Sequence, residues 1–390
     1  MNILSIETSC DETAISIIRT NTEMNNFKVI SDLVISQIDI HAEYGGVFPA
    51  LAKREHAKNL VPLLQKSFKN DLCNVHIRIS EKKEKEVLQI LDREPELAEM
   101  LLSFFKENTI SKIDMIMVTF GPGLAPALWV GVNFARALSV ILDCPILPVN
   151  HMEGHITSIL LKDNYLHQDE ALYPINDFQF PMIALLISGG HTQLILVSDW
   201  CDYEIIGETI DDAVGEVFDK VARMLGMKYP GGPKISIAAQ LGFSSDGIIL
   251  PRPMLHSKDY RFSFSGLKTA TRYLIQKYID TNTLDEQVTS NIAREFEHAV
   301  TDVLVKKTMA AVMEYSAKGL IIAGGVSANR FISHSFKEKS DEYNFPLYLP
   351  EKHMCGDNSL MIATAGFMNL RNRKGATPQS EIVAVGNLKL

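Results

Sequence analysis

The sequence predicts an α/β protein built from two duplicated halves, on three observations. Short apolar runs of strand type alternate with amphipathic helical stretches. Glycine-bearing turns follow several of the strands, the pattern of sheets whose ligand sites lie beyond strand carboxyl ends. One strand–turn–strand unit also returns about 180 residues later, as an internal duplication would.

Taken in order, residues 3–8 are an apolar run, 9–13 (Ser9-Cys-Asp-Glu-Thr13) a tight polar turn and 14–18 a second run. Residues 182–187, 188–192 and 194–197 repeat that grammar. His41-Ala-Glu-Tyr-Gly-Gly46 precedes a Pro-started helical pattern over 49–66. Composition shifts over 69–111, where Lys82-Lys-Glu-Lys-Glu86 reads as a solvated face, so this stretch is expected to be a surface insertion. Residues 113–119 read as a buried strand, 120–126 as a Gly/Pro loop and 127–142 as a helix; 163–180 read as loop. Residues 211–226 form an amphipathic helical pattern with Val214, Val217, Phe218, Val221 and Leu225 on one face. Helices are expected near 267–279 and 285–315, a buried strand at 320–323 and a last helix running through Ala365. The turns at 9–13, 120–126, 188–192 and 324–329 are then expected round one cleft. The expected division is 1–149 as a first lobe carrying the insertion, 150–364 as a second lobe, and 365–390 returning to the first.

Of the 390 residues, 46% are hydrophobic and 22% charged, enough for a sizeable core. No apolar run reads as membrane-spanning, since 182–198 is broken by Ser188-Gly-Gly-His-Thr-Gln193, and no leader segment is apparent. Five cysteines without a C-x-x-C point to reduced thiols in a cytoplasm and away from a cysteine zinc site. Proteins whose main task is gripping nucleic-acid backbone are usually basic, so at a net charge of −9 any nucleic-acid role must rest on a local basic patch or on a partner.

The chemistry centres on Asn150-His-Met-Glu-Gly-His155. On a helix, His155 lies about 40° round from His151 and one turn along, so both imidazoles share a face and can grip one transition metal. A bare pair of this kind is more often two polar residues at a helix start. A metal site needs a third ligand, and Asp357, in Met354-Cys-Gly-Asp-Asn-Ser359, is the best remote carboxylate; its alternative role is helix N-cap. Glu153 stands about 200° from His151 and faces away from the metal, which removes the base that a metallo-endopeptidase requires. Ser188-Gly-Gly-His191 and Gly324-Gly-Val-Ser-Ala-Asn329 can bring bare backbone N–H groups to a phosphate or ribose. Neither is a P-loop or a dinucleotide fingerprint. Arg252, Lys258, Arg261, Lys268 and Arg272 interleave with Tyr260, Phe262, Phe264 and Tyr273, which fits either nucleic-acid contact or an ordinary strand; Lys53, Arg54 and His56 form a weaker basic group.

These motifs, with Ile6-Glu-Thr-Ser-Cys-Asp-Glu-Thr13, Phe218-Asp-Lys220, Tyr229-Pro-Gly-Gly-Pro233, Phe262-Ser-Phe-Ser-Gly-Leu-Lys268 and Gly356-Asp-Asn358, occur in an order that resembles the tRNA N6-adenosine threonylcarbamoyltransferase family, in its bacterial TsaD branch. The resemblance spans nearly the whole chain outside 69–111. It implies an actin/hexokinase-like ATPase fold of two duplicated lobes around a central cleft. It also implies transfer of a threonylcarbamoyl group from threonylcarbamoyl-AMP to N6 of adenosine 37, in tRNAs reading codons that begin with A. By the matching motifs, His151, His155 and Asp357 would hold one divalent metal, iron or else zinc. Ile187, Ser188, Gly189, Gly190, His191, Asp219, Gly232 and Asn329 would bind the adenylate. Ser236 stands where some relatives carry an aspartate. Asp11, in the first turn, is the candidate to accept the amine proton, against a plain turn-forming role. The expected partners are tRNA, a TsaB-like paralogue and a TsaE-like ATPase, in the cytoplasm and away from membranes. The rival readings are a metallo-endopeptidase and a nucleotide-dependent assembly or chaperone module.

Overall fold

Two five-stranded sheets share one topology. The computed structural model describes residues 1–68, 74–245, 247–372 and 381–390. In the first half, β1 (Asn2–Glu7), β2 (Glu12–Thr20) and β3 (Phe27–Ser36) are antiparallel neighbours. They lead into α1 (Ile38–Ala42) and α2 (Pro49–Ser67), a short pair of strands β4 (Asn74–His76) and β5 (Thr109–Ser111), and between those α3 (Glu81–Ile90) and α4 (Pro95–Glu107). β6 (Met115–Gly121), α5 (Ala125–Leu142), β7 (Ile146–Asn150) and α6 (His151–Thr157) follow, with β6 parallel to β1 and β7 parallel to β6. The sheet order is β3-β2-β1-β6-β7.

The second half repeats the plan. β8 (Met182–Ile187), β9 (Thr192–Asp199) and β10 (Asp202–Glu208) are antiparallel. After α7 (Val214–Met224), α8 (Gly231–Leu241), α9 (Ser265–Asp280) and α10 (Glu286–Glu314), β11 (Leu320–Ala323) joins β8 in parallel. α11 (Arg330–Tyr343) then leads to β12 (Leu347–Tyr348), parallel to β11, and α12 (Ser359–Arg371) follows. The order β10-β9-β8-β11-β12 matches the first sheet strand for strand. The duplication read from two hairpins therefore extends over both sheets.

Central strands such as β8 are buried along their whole length, which is why they read as unbroken apolar runs. The outer strands β3 and β10 are absent from the sequence reading for the opposite reason. They lie at sheet edges, carry mixed residues and are buried only intermittently.

The chain separates into a unit of residues 1–39, 47–178 and 357–390 and a unit of 40–46 and 179–356. The long segment of the second unit thus begins at 179, whereas the expected second lobe begins at 150, and Asp357 falls in the same unit as the histidine helix. In the first unit Val385 N–H donates to Phe120 O (2.7 Å) and Gly123 N–H to Gly386 O (3.0 Å), so the C-terminal segment folds back on the loop after β6.

Two expectations change here. The stretch 69–111 is not simply a surface insertion: Leu97, Leu101, Phe104 and Phe105 of α4, with Val87 of α3, are buried in the first unit's core. Lys82 and Lys85 are solvated as expected, but Lys83 donates to Ile141 O (3.1 Å) and pairs with Asp143 (2.5 Å) at the end of α5. Residues 69–73 of the stretch lie outside the described residues. In addition, α5 is long and apolar enough to cross a membrane by length and composition, although no such run was read from the sequence. It is a core helix, with Leu128, Val132, Phe134 and Leu138 fully buried.

Candidate functional site

In the first unit, Asn150 starts α6: its side chain accepts from Met152 N–H (2.8 Å) and donates to Lys389 O (3.0 Å). The helical step then places His151 and His155 one above the other, with ring centroids 4.8 Å apart. Gly154 faces α12. A Cβ there would stand 3.0 Å from Met361 Cγ and 3.2 Å from Ile362 Cδ1, so the missing side chain lets α12 approach. That approach delivers Asp357, two residues ahead of α12. The N-cap of α12 is Asn358, which accepts from Met361 N–H (2.8 Å). Asp357 is thereby left to face the rings: its Oδ1 lies 3.4 Å from His151 Nε2 and 3.3 Å from His155 Nε2.

This geometry fits a metal ion. Two ligand atoms each about 2.0–2.2 Å from one ion stand roughly 3–3.5 Å from each other, and both nitrogen–oxygen separations fall there. Both ring nitrogens of His155 are buried and form no directed hydrogen bond among the described residues, and a cation would satisfy the one that faces Asp357, Nε2. The charge balance points the same way. Burial alone would lower the His151 pKa, but the Asp357 and Glu7 carboxylates hold it well above the usual imidazole value. Burial opposes the Asp357 charge too, and the two imidazoles outweigh it, holding that carboxyl below the ordinary range. Glu12 is pushed up to about 9, first by burial and then by Asp11 and Asp357. Burial, then the same carboxylates, raises the Cys10 thiol.

Glu7, which the sequence reading left without a role, stands behind His151. Its Oε2 lies 3.2 Å from His151 Nδ1 and accepts from Thr119 Oγ1, while Oε1 accepts from Ser9 N–H. Such a carboxylate fixes the Nδ1 proton and directs Nε2 outward. A glutamate inside the apolar run 3–8, fully buried, was the signal available in the sequence. Ser9 Oγ adds a contact to Nδ1 at 3.2 Å. Asp11 is buried in the turn that follows, its carbonyl accepting from Gln37 N–H (2.9 Å). Glu153 accepts from Asn369 Nδ2 of α12 (2.8 Å), which occupies its side chain.

The second unit gathers the other candidates. Ser188 N–H donates to His191 O (2.9 Å) and closes the turn between β8 and β9 around Gly189 and Gly190. Gly324 has φ +89°, and a Cβ there would lie 2.6 Å from Ile187 O, so the two glycine turns touch only because the side chain is missing. Asp219 Oδ1 accepts from Gly231 N–H (2.7 Å), which fixes the start of α8 and its neighbour Gly232. Asn329 caps α11 by accepting from Phe331 and Ile332 N–H, and its Nδ2 donates to Glu297 Oε1 (2.7 Å). Gly189, Gly190, Gly232 and Gly325 each open onto space where a Cβ would stand, which gives a surface of bare backbone.

The basic stretches resolve differently. Arg252 pairs with Glu295 and Asp302, Arg261 with Asp259, and Lys268 with Asp212. Phe262 and Phe264 are fully buried and cannot stack on bases, whereas Tyr273 is exposed with Arg272 over its ring. Lys53 pairs with Glu94 (2.7 Å), and His56 is buried with its Nε2 3.0 Å from Cys10 O.

A family profile described as tRNA N6-adenosine threonylcarbamoyltransferase (TsaD) matches residues 28–77 and 95–364. The interval left unmatched between them, 78–94, is narrower than the suspected insertion and consists mainly of α3. A tRNA N6-adenosine threonylcarbamoyltransferase of Thermosipho africanus is 39% identical over 392 residues, covering all of both chains. One from Chromobacterium violaceum is 40% identical over 95% of this chain and 94% of its own. In fold, the crystal structure of full-length HypF in its phosphate- and nucleotide-bound form is similar, with a TM-score of 0.52 and 12% identity over 96% of this chain and 56% of that one.

Proposed function

The chain belongs to the tRNA N6-adenosine threonylcarbamoyltransferase family, and from that premise we propose the reaction and the roles of its residues. The enzyme transfers the threonylcarbamoyl group from threonylcarbamoyl-AMP to N6 of adenosine 37, in tRNAs that read codons beginning with A, and releases AMP. The observation that carries this reading is the end-to-end likeness to named transferases, and the meeting of His151, His155 and Asp357 supports it.

The donor is a mixed anhydride and already activated, so the task of the site is orientation and stabilisation of developing charge. His151, His155 and Asp357 would hold one divalent metal. Two imidazoles and one carboxylate would suit iron(II), with zinc as the alternative. When bound, the metal supplies Lewis acidity or a clamp for the threonyl end. Glu7 keeps His151 aimed through its Nδ1. Asp11 accepts the proton lost by the adenosine amine. Ile187, Ser188, Gly189, Gly190 and His191, with Asp219, Gly232 and Asn329, bind the adenylate, the glycines admitting it close to backbone N–H groups. An acidic chain of this kind borrows tRNA affinity from partners, a TsaB-like paralogue and a TsaE-like ATPase, in the cytoplasm.

The protease alternative has no support from Glu153, which is tied to Asn369. An assembly-module reading leaves the metal trio without a task. The purified protein with its partners, labelled threonine, bicarbonate, ATP and a suitable tRNA should place label on adenosine 37. His155→Ala should abolish labelling while the protein stays folded. Lack of label even when the adenylate is supplied directly defeats the assignment.

A further inference from the structure

Glu297 lies on the buried side of α10 and is only 3% exposed. Its Oε1 accepts two hydrogen bonds of 2.7 Å, from Ser236 Oγ and from Asn329 Nδ2. Its Oε2 accepts none among the described residues, yet is not sealed from solvent. A carboxylate held by one oxygen with the other left open is poised to receive a donor.

The surroundings identify the donor. Ser236 stands one helical turn beyond Gly232 on α8, and Asn329 closes the turn that begins at Gly324. Gly232 and Gly325 present bare backbone toward open space. Backbone N–H groups suit phosphate oxygens, but ribose hydroxyls need an acceptor. The Asn329 Oδ1 is not available as that acceptor, because it already takes the Phe331 and Ile332 N–H groups. Carboxylates are the usual partners of ribose hydroxyls in nucleotide sites. Burial raises the Glu297 pKa, and the hydrogen bonds from Asn329 and Ser236 favour its ionised form.

We propose that Glu297 Oε2 accepts a hydrogen bond from a ribose hydroxyl of the adenylate, with Ser236 and Asn329 anchoring Oε1, so that Glu297 selects ribonucleotides. The inference rests on the nucleotide reading of the second unit given above.

Calorimetric titration of the full chain with AMP and with 2′,3′-dideoxy-AMP tests it. The wild type should prefer AMP by about ten-fold or more, the worth of a hydrogen bond to a charged group. Glu297→Gln keeps the side chain's shape and an oxygen for Ser236 and Asn329. It should weaken AMP by about ten-fold, leave dideoxy-AMP unchanged and erase most of the preference. A residue that only ties α8 to α11 would weaken both ligands in parallel, and that result overturns the proposal. So does a wild type that binds both nucleotides equally, whatever the variant does. Binding of neither nucleotide to the wild type overturns the nucleotide reading itself, and the proposal with it.

Discussion

A ligating imidazole is only as well aimed as the acceptor behind it. Glu7 meets that need for His151 and is itself held by Thr119 and Ser9. Glu7→Gln should therefore lower affinity for a divalent metal by roughly 10- to 100-fold, measured by titration of chelator-stripped protein; undiminished affinity would remove Glu7 from the site. Glu12 carries a second consequence. Its pKa of about 9 lies far above the ordinary carboxylate value of 4.5, so the folded chain keeps a proton that the unfolded chain releases across that window. Stability must then fall as pH rises through the window. Stripped protein should melt at a lower temperature near its alkaline end than near its acid end, and Glu12→Gln should flatten the slope. An equal slope in the variant would show that other groups set the pH dependence.

At the scale of elements, the pairing of α6 with α12 decides whether the site exists. Gly154 marks the close approach, with Met361 and Ile362 against it. Gly154→Val would overpack this contact at a cost of about 1–3 kcal/mol, and the displaced α12 would carry Asp357 off the rings. Denaturant unfolding should show the loss of stability, and metal titration a parallel loss of affinity. A variant as stable and as metal-competent as the wild type would mean that the helices have room to spare. The α6 pattern was legible in the sequence because His151 and His155 obey helical spacing on their own. The capping of α12 was not. Asp357 and Asn358 could each cap the helix, and only the bond from Asn358 to Met361 shows which residue is left to face the imidazoles.

At the scale of the whole molecule, the first unit is closed by distant parts of the chain. The last residues receive Gly123 N–H and the Asn150 side chain, and so brace both the loop after β6 and the start of α6. Removing residues 381–390 should speed hydrogen exchange at the Gly123 amide and lower the melting temperature. Unchanged exchange there would show that the tail only rests on the surface. The repeated sheet order shows the same dependence on distant contacts, since β11 meets β8 across more than a hundred residues. The charged face within 69–111 is visible in sequence, but the core that receives Phe104 and Phe105 is assembled from segments elsewhere in the chain.

By itself the sequence determined what depends on local periodicity and motif. That includes the α/β class, the two hairpins, the histidine pair on one helical face, the glycine turns and the family. The edge strands β3 and β10, the burial of α4, the place of Glu7 behind His151, the release of Asp357 by Asn358 and the spending of Arg252, Arg261 and Lys268 on ion pairs were decided only by tertiary structure. The physical reason is that helical and strand periods are written in neighbouring residues. Which carboxylate meets which cation, and which apolar face finds a core, depends on segments that only folding brings together.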